Sequence, residues 1–252
     1  MKTIILAGGK GERITEETLH RPKPMIEIGG MPVIWHIMKI YSTHGFNDFV
    51  ICCGYKGDMI KEFFENYSLK SDVTINLNQD TMQPNDTKSW NVTLVDTGLE
   101  TMTGGRLKRI KKYVEDDTFC VTYGDDLKSV DIADIVNFHK EQRKLGTLTV
   151  ARHQDRFGIV NIRDDLVTGL TEKPVMENVW INGGYYVFEP QVLDLIKDDS
   201  TILEHEPLNE LIKQGNLSAY KYYGQYQPLD TMKDKVELEK MWSSGKAYWK
   251  VW

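Results

Sequence analysis

Cysteine is scarce in this chain. Of 252 residues only Cys52, Cys53 and Cys120 carry a thiol, and two of these are neighbours inside an apolar run. An odd number with no repeated spacing excludes a disulfide framework and a cysteine zinc site, and it fits a reducing compartment, the cytoplasm. Long hydrophobic runs are also missing, so no membrane span is expected. The first apolar run is short and ends in Gly8-Gly9 rather than at a cleavage site, unlike a signal peptide. Basic charge is not in excess. The formal net charge is −6, which argues against broad binding to nucleic acid or to acidic membranes. The six histidines have no metal-ligand spacing, and no Ser–His–Asp or Cys–His pattern stands out. Linkers, repeats and low-complexity tracts are absent as well.

What the chain does have is enough apolar residue for a sizeable core, 40% of the total. Short β-branched runs alternate with helical spacing. Strands are predicted at 3–7, 48–53, 73–77, 91–96 and 118–123, with helices at 33–44, 58–66 and 132–143 between or after them. This order implies a wound α/β fold with a largely parallel sheet, in which ligands sit beyond the carboxyl ends of the strands. The second half is richer in strands, at 148–152, 158–163, 167–172 and 180–188, with helices at 191–196, 208–213 and 232–243. The polar stretch 78–89 is too long for a simple turn and reads as a lid or as an arm docked on another subunit. The tail 246–252 holds Tyr248, Trp249 and Trp252, which are expected to pack on the body or on a neighbour.

The first strand runs straight into Gly8-Gly9-Lys10-Gly11-Glu12-Arg13. A glycine turn at a strand end presents backbone N–H groups with no side chains in the way, which suits nucleotide phosphates, although an ordinary strand-to-helix turn has the same composition. Arg13 and Lys23 are cations of the right kind for phosphate oxygens, and Pro22 and Pro24 fix the backbone around Lys23. Asp125 and Asp126 follow an apolar strand and Gly124, where a carboxylate can hold Mg²⁺ or simply make a turn. Asp230, in Pro228-Leu229-Asp230-Thr231, is a second candidate carboxylate. Glu172-Lys173-Pro174 ends a strand much as the Lys23 region does, and Asn182-Gly183-Gly184 interrupts an apolar strand, as happens where a ligand or another backbone comes close.

The order Leu6-Ala7-Gly8-Gly9-x-Gly11-x-Arg13, Pro22-Lys23-Pro24, Gly124-Asp125, Glu172-Lys173-Pro174, Asn182-Gly183-Gly184 and a late Asp230 resembles the sugar-phosphate nucleotidylyltransferases over the whole chain. Segments 15–18, 22–25, 35–39, 52–57, 90–98 and 102–109 resemble the cytidylyl branch of that family. The resemblance implies a Rossmann-like three-layer α/β fold with a mixed, mostly parallel central sheet. It implies one domain over 1–252, with a nucleotide-binding half of about 1–130 and a sugar-phosphate half of about 131–252. It also implies the substrates CTP and a sugar 1-phosphate, most nearly glucose 1-phosphate, with Mg²⁺ as cofactor and a homo-oligomer, a hexamer in this branch.

Site roles follow from the same resemblance. Leu6, Ala7, Gly8, Gly9, Lys10, Gly11, Glu12 and Arg13 would wrap the nucleotide, and Lys23 would contact the triphosphate. Thr101, Arg106 and Gly124 would lie against the nucleotide. Asp125 and Asp230 would hold the metal. Glu172, Asn182 and Gly183 would meet the sugar, and Lys173 its phosphate. Arg13, Lys23, Asp125 and Lys173 would be the catalytic set. Two positions depart from the pattern. Glu12 stands where the family has Thr or Ser. A carboxylate about 5 Å from a phosphate charge costs about 3 kcal/mol at an effective dielectric near 20, so its side chain is expected to point away unless it recruits the metal or contacts the base. Asp126 stands where this branch has glycine, and either draws the metal closer or is solvated. The other readings are a uridylyl- or thymidylyltransferase, a cytidylyltransferase for another phosphorylated acceptor, and a non-catalytic subunit that binds nucleotide sugars.

Overall fold

Residues of the buried strands alternate between two apolar layers, and this alternation organises the molecule. The computed structural model describes residues 1–67, 73–76, 81–84, 90–114, 117–154, 158–172 and 175–252. Strand β1 (Thr3–Leu6) is buried along its whole length. It lies between β2 (Asp48–Cys53) and β4 (Phe119–Tyr123) and runs parallel to both, and β2 continues in parallel to β3 (Asn91–Asp96). Ile4, Leu6, Val50, Cys52 and Val121 face one layer, and Ile5, Phe49, Ile51, Cys53 and Cys120 the other. A sheet covered on both faces favours near-continuous apolar runs, which is why the central strands do not alternate with polar residues.

The sheet has seven strands in the order β7-β5-β6-β4-β1-β2-β3. Here β5 is Gly146–Gln154, β6 is Val175–Phe188 and β7 is Leu217–Tyr222. Strand β6 runs antiparallel to both of its neighbours, and the remaining pairs are parallel. One sheet therefore passes through both halves of the chain. Helices Val33–Thr43, Gly57–Glu65, Ile132–Gln142 and Met232–Ser243 cover one face, and Thr103–Arg109 and Glu206–Lys213 cover the other. No helix among the described residues is long and apolar enough to cross a membrane.

Several elements differ from the sequence expectation. The helix expected at 191–196 is a 3-10 turn, Pro190–Leu195, which starts at a proline. Strand β6 begins five residues before the expected 180, and β7 was not expected at all. The aromatic tail packs on the body. Trp249 is fully buried, Tyr248 Oη donates to the Leu127 carbonyl at 3.1 Å, and the Trp252 ring meets Trp35 edge-on at 5.5 Å. Most of the 78–89 segment lies outside the described residues, but its strand Thr81–Pro84 pairs antiparallel with Val73–Asn76.

Candidate active site

A cavity of about 610 Å³ opens at the carboxyl ends of β1 and β4. Its floor is the turn after β1. Gly11 there has φ +67°, a conformation that favours glycine. The loop is held from behind by Arg106, which is buried and donates to the carbonyls of Gly8 (3.0 Å), Gly98 (2.8 Å) and Cys53 (3.2 Å) and to Thr97 Oγ1 (2.7 Å). A Cβ on Gly8 would fall 2.1 Å from the Arg106 guanidinium, so only glycine admits this clamp. Among the described residues, no protein acceptor takes the amides of Gly9, Lys10 or Gly11. Three backbone donors in one exposed turn form a seat for an anion.

Four charged groups converge beside that turn. The chain bends through Pro22 into a 3-10 turn, Lys23–Met25, which buries Lys23 and turns its ammonium inward. Lys23 Nζ lies 2.5 Å from Asp125 Oδ2 and 2.8 Å from Asp230 Oδ1. Arg13 Nη1 reaches the other oxygen of Asp230 at 2.6 Å. Asp125 is placed by the end of β4, where the Gly124 amide donates to the Leu6 carbonyl at 3.0 Å. Asp230 is placed by the start of helix Met232–Ser243. Its amide donates to Asp234, the capping-box carboxylate of that helix, at 3.0 Å. Burial alone would lower the Lys23 pKa, but the charges and hydrogen bonds of Asp125 and Asp230 outweigh it, and the pKa is raised.

Asp126 takes neither of the places expected for it. It is buried, lies outside the cavity lining that includes Asp125, and is paired at 3.1 Å with Lys128, which is fully buried. The Lys128 ammonium lies 4.2 Å from the Tyr226 ring centroid and 4.7 Å from that of Tyr185. Burial raises the Asp126 pKa and lowers that of Lys128, and each partner's charge opposes the other's shift. Glu12 is exposed on the rim of the cavity. Also at the rim, Lys10 pairs with Glu100 at 2.9 Å.

Leu6 to Arg13, Lys23, Thr101, Arg106, Gly124 and Asp125 all line the cavity. Asp230 joins them through Lys23 and Arg13. Glu172, Asn182 and Gly183 are not in its lining. Glu172 is exposed beside the hairpin of Ile159–Arg163 and Leu166–Thr171, and Asn182 is exposed on β6. A Cβ on Gly183 would meet the Thr149 carbonyl at 2.7 Å, so this glycine allows β5 and β6 to pack. Lys173 lies outside the described residues. Sequence reasoning missed Tyr123 and Thr103, which line the cavity, and Lys128 and Glu204 behind it.

The two carboxylates converge on one cationic point, as a hard divalent ion requires. Among the described residues, no group of three or more His, Cys, Asp or Glu is placed to hold a metal. A site of this kind suits an ion shared with ligand phosphates rather than one caged by protein alone.

Comparison with known proteins agrees with this geometry. The profile of the family described as nucleotidyl transferase matches residues 2–249. The glucose-1-phosphate cytidylyltransferase of Salmonella typhimurium (strain LT2) is 52% identical over 256 residues, covering 100% of both chains. The protein of the same name from Salmonella typhi is also 52% identical over 256 residues, with the same coverage. Among solved structures, a UDP-glucose pyrophosphorylase from Acinetobacter baumanii superposes with a TM-score of 0.71 at 16% identity, covering 94% of this chain and 91% of that one. At that identity the likeness is one of fold.

Proposed function

Because the chain belongs to the nucleotidyl transferase family, we propose that it transfers CMP from CTP to α-D-glucose 1-phosphate, giving CDP-glucose and pyrophosphate. One observation carries the reaction class: Lys23, Asp125 and Asp230 converge beside an amide-lined glycine turn. The choice of CTP and glucose 1-phosphate is supported by the full-length likeness to the Salmonella enzymes.

The chemistry needs little from the protein beyond placement and charge. A phosphate oxygen of the sugar attacks the α-phosphorus of CTP in line, its bond to phosphorus forms as the bond to the pyrophosphate oxygen breaks, and pyrophosphate leaves. The attacking oxygen is already anionic near neutral pH, so no general base is required. The Gly9–Gly11 amides and Arg13 receive phosphate oxygens. Lys23 redirects its ammonium from the carboxylates to the triphosphate, next to the reacting phosphorus. In this reading Lys173 supplies the separate cation for the sugar phosphate, while Glu172, Asn182 and Gly183 contact the sugar. Asp125 and Asp230 fit a divalent ion, Mg²⁺, which when bound screens the charge between the two anions. Arg106 acts on the nucleotide from behind, by fixing the carbonyl side of the glycine turn.

A cytoplasmic homo-oligomer, a hexamer, completes the reading. Two features support it: three buried free thiols, and an exposed apolar hairpin in which Ile162, Leu166, Val167 and Leu170 are each more than two-thirds accessible (69%, 71%, 67% and 68%). The test is pyrophosphate release from four nucleoside triphosphates against a panel of sugar 1-phosphates. Release that scales with enzyme concentration and is fastest with CTP and glucose 1-phosphate supports the proposal. A preference for UTP or dTTP replaces it with the corresponding transferase, and no release with any pair leaves a binding subunit.

A further inference from the structure

The geometry points to Glu204 as a positioning residue that orients both substrate walls through one polarised chain of hydrogen bonds. The inference rests on the function proposed above, with the cavity as the nucleotide site and Asn182 on the acceptor side. Glu204 sits in the loop before helix Glu206–Lys213, far in sequence from Thr103 and Tyr123. One of its oxygens accepts from the Thr103 hydroxyl at 2.8 Å, and the other accepts from the Tyr123 hydroxyl. Thr103 and Tyr123 line the cavity, and Glu204 stands behind them. Tyr123 Oη is 3.1 Å from Tyr186 Oη, and Asn182 Nδ2 donates to Tyr186 Oη at 2.6 Å. The Gly184 amide donates to Asn182 Oδ1 at 2.8 Å.

The proton directions along this chain are fixed. A carboxylate only accepts, and a hydroxyl has one proton. Tyr123 spends its proton on Glu204, so across the 3.1 Å contact Tyr186 is the donor. Tyr186 has then spent its own proton, and its oxygen receives the Asn182 amide N–H. The Gly184 amide accordingly faces the Asn182 carbonyl, and Asn182 keeps one N–H for a ligand. Every proton points toward Glu204. The carboxylate thus acts on two things at once: the orientation of Thr103 on the nucleotide wall, whose hydroxyl also accepts from the Leu203 amide at 2.9 Å, and the remaining N–H of the exposed Asn182, which is left for a lone pair of a sugar hydroxyl or phosphate oxygen. Glu204 itself touches neither substrate.

Glu204→Gln keeps the shape but replaces one acceptor with a donor, so one arm must lose its bond or reverse. Tyr186→Phe cuts the acceptor arm alone, and Thr103→Val cuts the nucleotide arm alone. The measurement is KM for each substrate and kcat in all three variants, with melting temperature alongside. It is run on whichever nucleotide and sugar phosphate the wild-type protein uses fastest. Expected results are a rise of at least fivefold in the sugar 1-phosphate KM for Tyr186→Phe with the nucleotide KM within twofold, the converse for Thr103→Val, and a rise of at least fivefold in one of the two for Glu204→Gln, whichever arm its amide group disrupts. If Glu204→Gln does not fold, the split between the other two variants decides. The inference is overturned if Glu204→Gln leaves both KM values within twofold, or if Tyr186→Phe and Thr103→Val each move both equally. A wild-type protein that turns over no pair defeats the functional reading and this inference with it. A normal wild type with unaffected variants defeats the inference alone.

Discussion

Lys128→Met leaves the Asp126 carboxylate facing an apolar side chain in the interior. Both groups are buried, Lys128 completely, and they meet at 3.1 Å beneath the rings of Tyr185 and Tyr226. Methionine fills most of the lysine stem, so the change falls on the ion pair rather than on packing. Removing one partner of a buried pair costs about 3–5 kcal/mol because the other is left uncompensated. Burial already raises the Asp126 pKa, so the orphaned carboxyl can take up a proton, which places the expected loss near the lower end, about 3 kcal/mol. At roughly 2.1 cal/mol/K per residue, a chain of this length unfolds with an entropy of about 0.5 kcal/mol/K, so the melting temperature should fall by about 6 °C. Asp126→Asn/Lys128→Met removes both charges and should recover more than half of that fall. The assay is thermal unfolding by circular dichroism at neutral pH for the wild type, both single variants and the double variant. A fall under 2 °C for Lys128→Met, or a double variant as unstable as the single, refutes the reasoning.

Lys23→Ala removes the buried cation between Asp125 and Asp230 and should lower kcat by more than tenfold, at least about 1.4 kcal/mol of barrier, in a pyrophosphate-release assay. His36 is fully buried among Trp35, Trp242, Trp249 and Trp252, and burial depresses its pKa from 6.5 to about 4. The unfolded chain therefore binds this proton first. The neutral ring's contribution is complete above pH 6.5 and is lost as the pH falls towards 4, by roughly 3 kcal/mol in all. Denaturant unfolding from pH 7 to 4 should show that slope, and His36→Gln should flatten it. Ile162→Asp with Leu170→Asp puts charge on the exposed hairpin and should lower the mass measured by light scattering, while a mass equal to that of the wild type removes the hairpin from the assembly interface.

The strands around β1 were readable because a parallel strand covered on both faces carries a near-continuous apolar run, and Thr3–Leu6, Asp48–Cys53 and Phe119–Tyr123 do so, broken only by Thr3, Asp48 and Thr122. Lys23 was readable from its two prolines. Helix Thr103–Arg109 was not, since Gly104 and Gly105 oppose helix formation by propensity. Those glycines are needed instead because Thr201 and Asp199 pack directly against them, where a Cβ would stand 2.8 Å and 2.5 Å from their carbonyls. Strand β7 carries mixed polar residues, and its structure comes from pairing with β5, a long-range contact that local pattern does not encode. The inward turn of Asp126 did leave a signal: Asp126-Leu127-Lys128 forms a short strand, in which alternate residues share a face. Glu204 left none, because its partners Thr103 and Tyr123 are brought to it by the fold alone.

The central claim is that Asp125 and Asp230 hold a divalent ion beside the glycine turn while Lys23 serves the nucleotide. It is tested most directly by following pyrophosphate release from CTP and glucose 1-phosphate as Mg²⁺ is titrated from a chelated start, in the wild type, Asp125→Asn and Asp230→Asn. The account predicts no release in chelator, saturable dependence on Mg²⁺ in the wild type, and a loss of more than tenfold in kcat in each variant. A wild-type rate that persists in chelator, or full turnover in either variant, contradicts it.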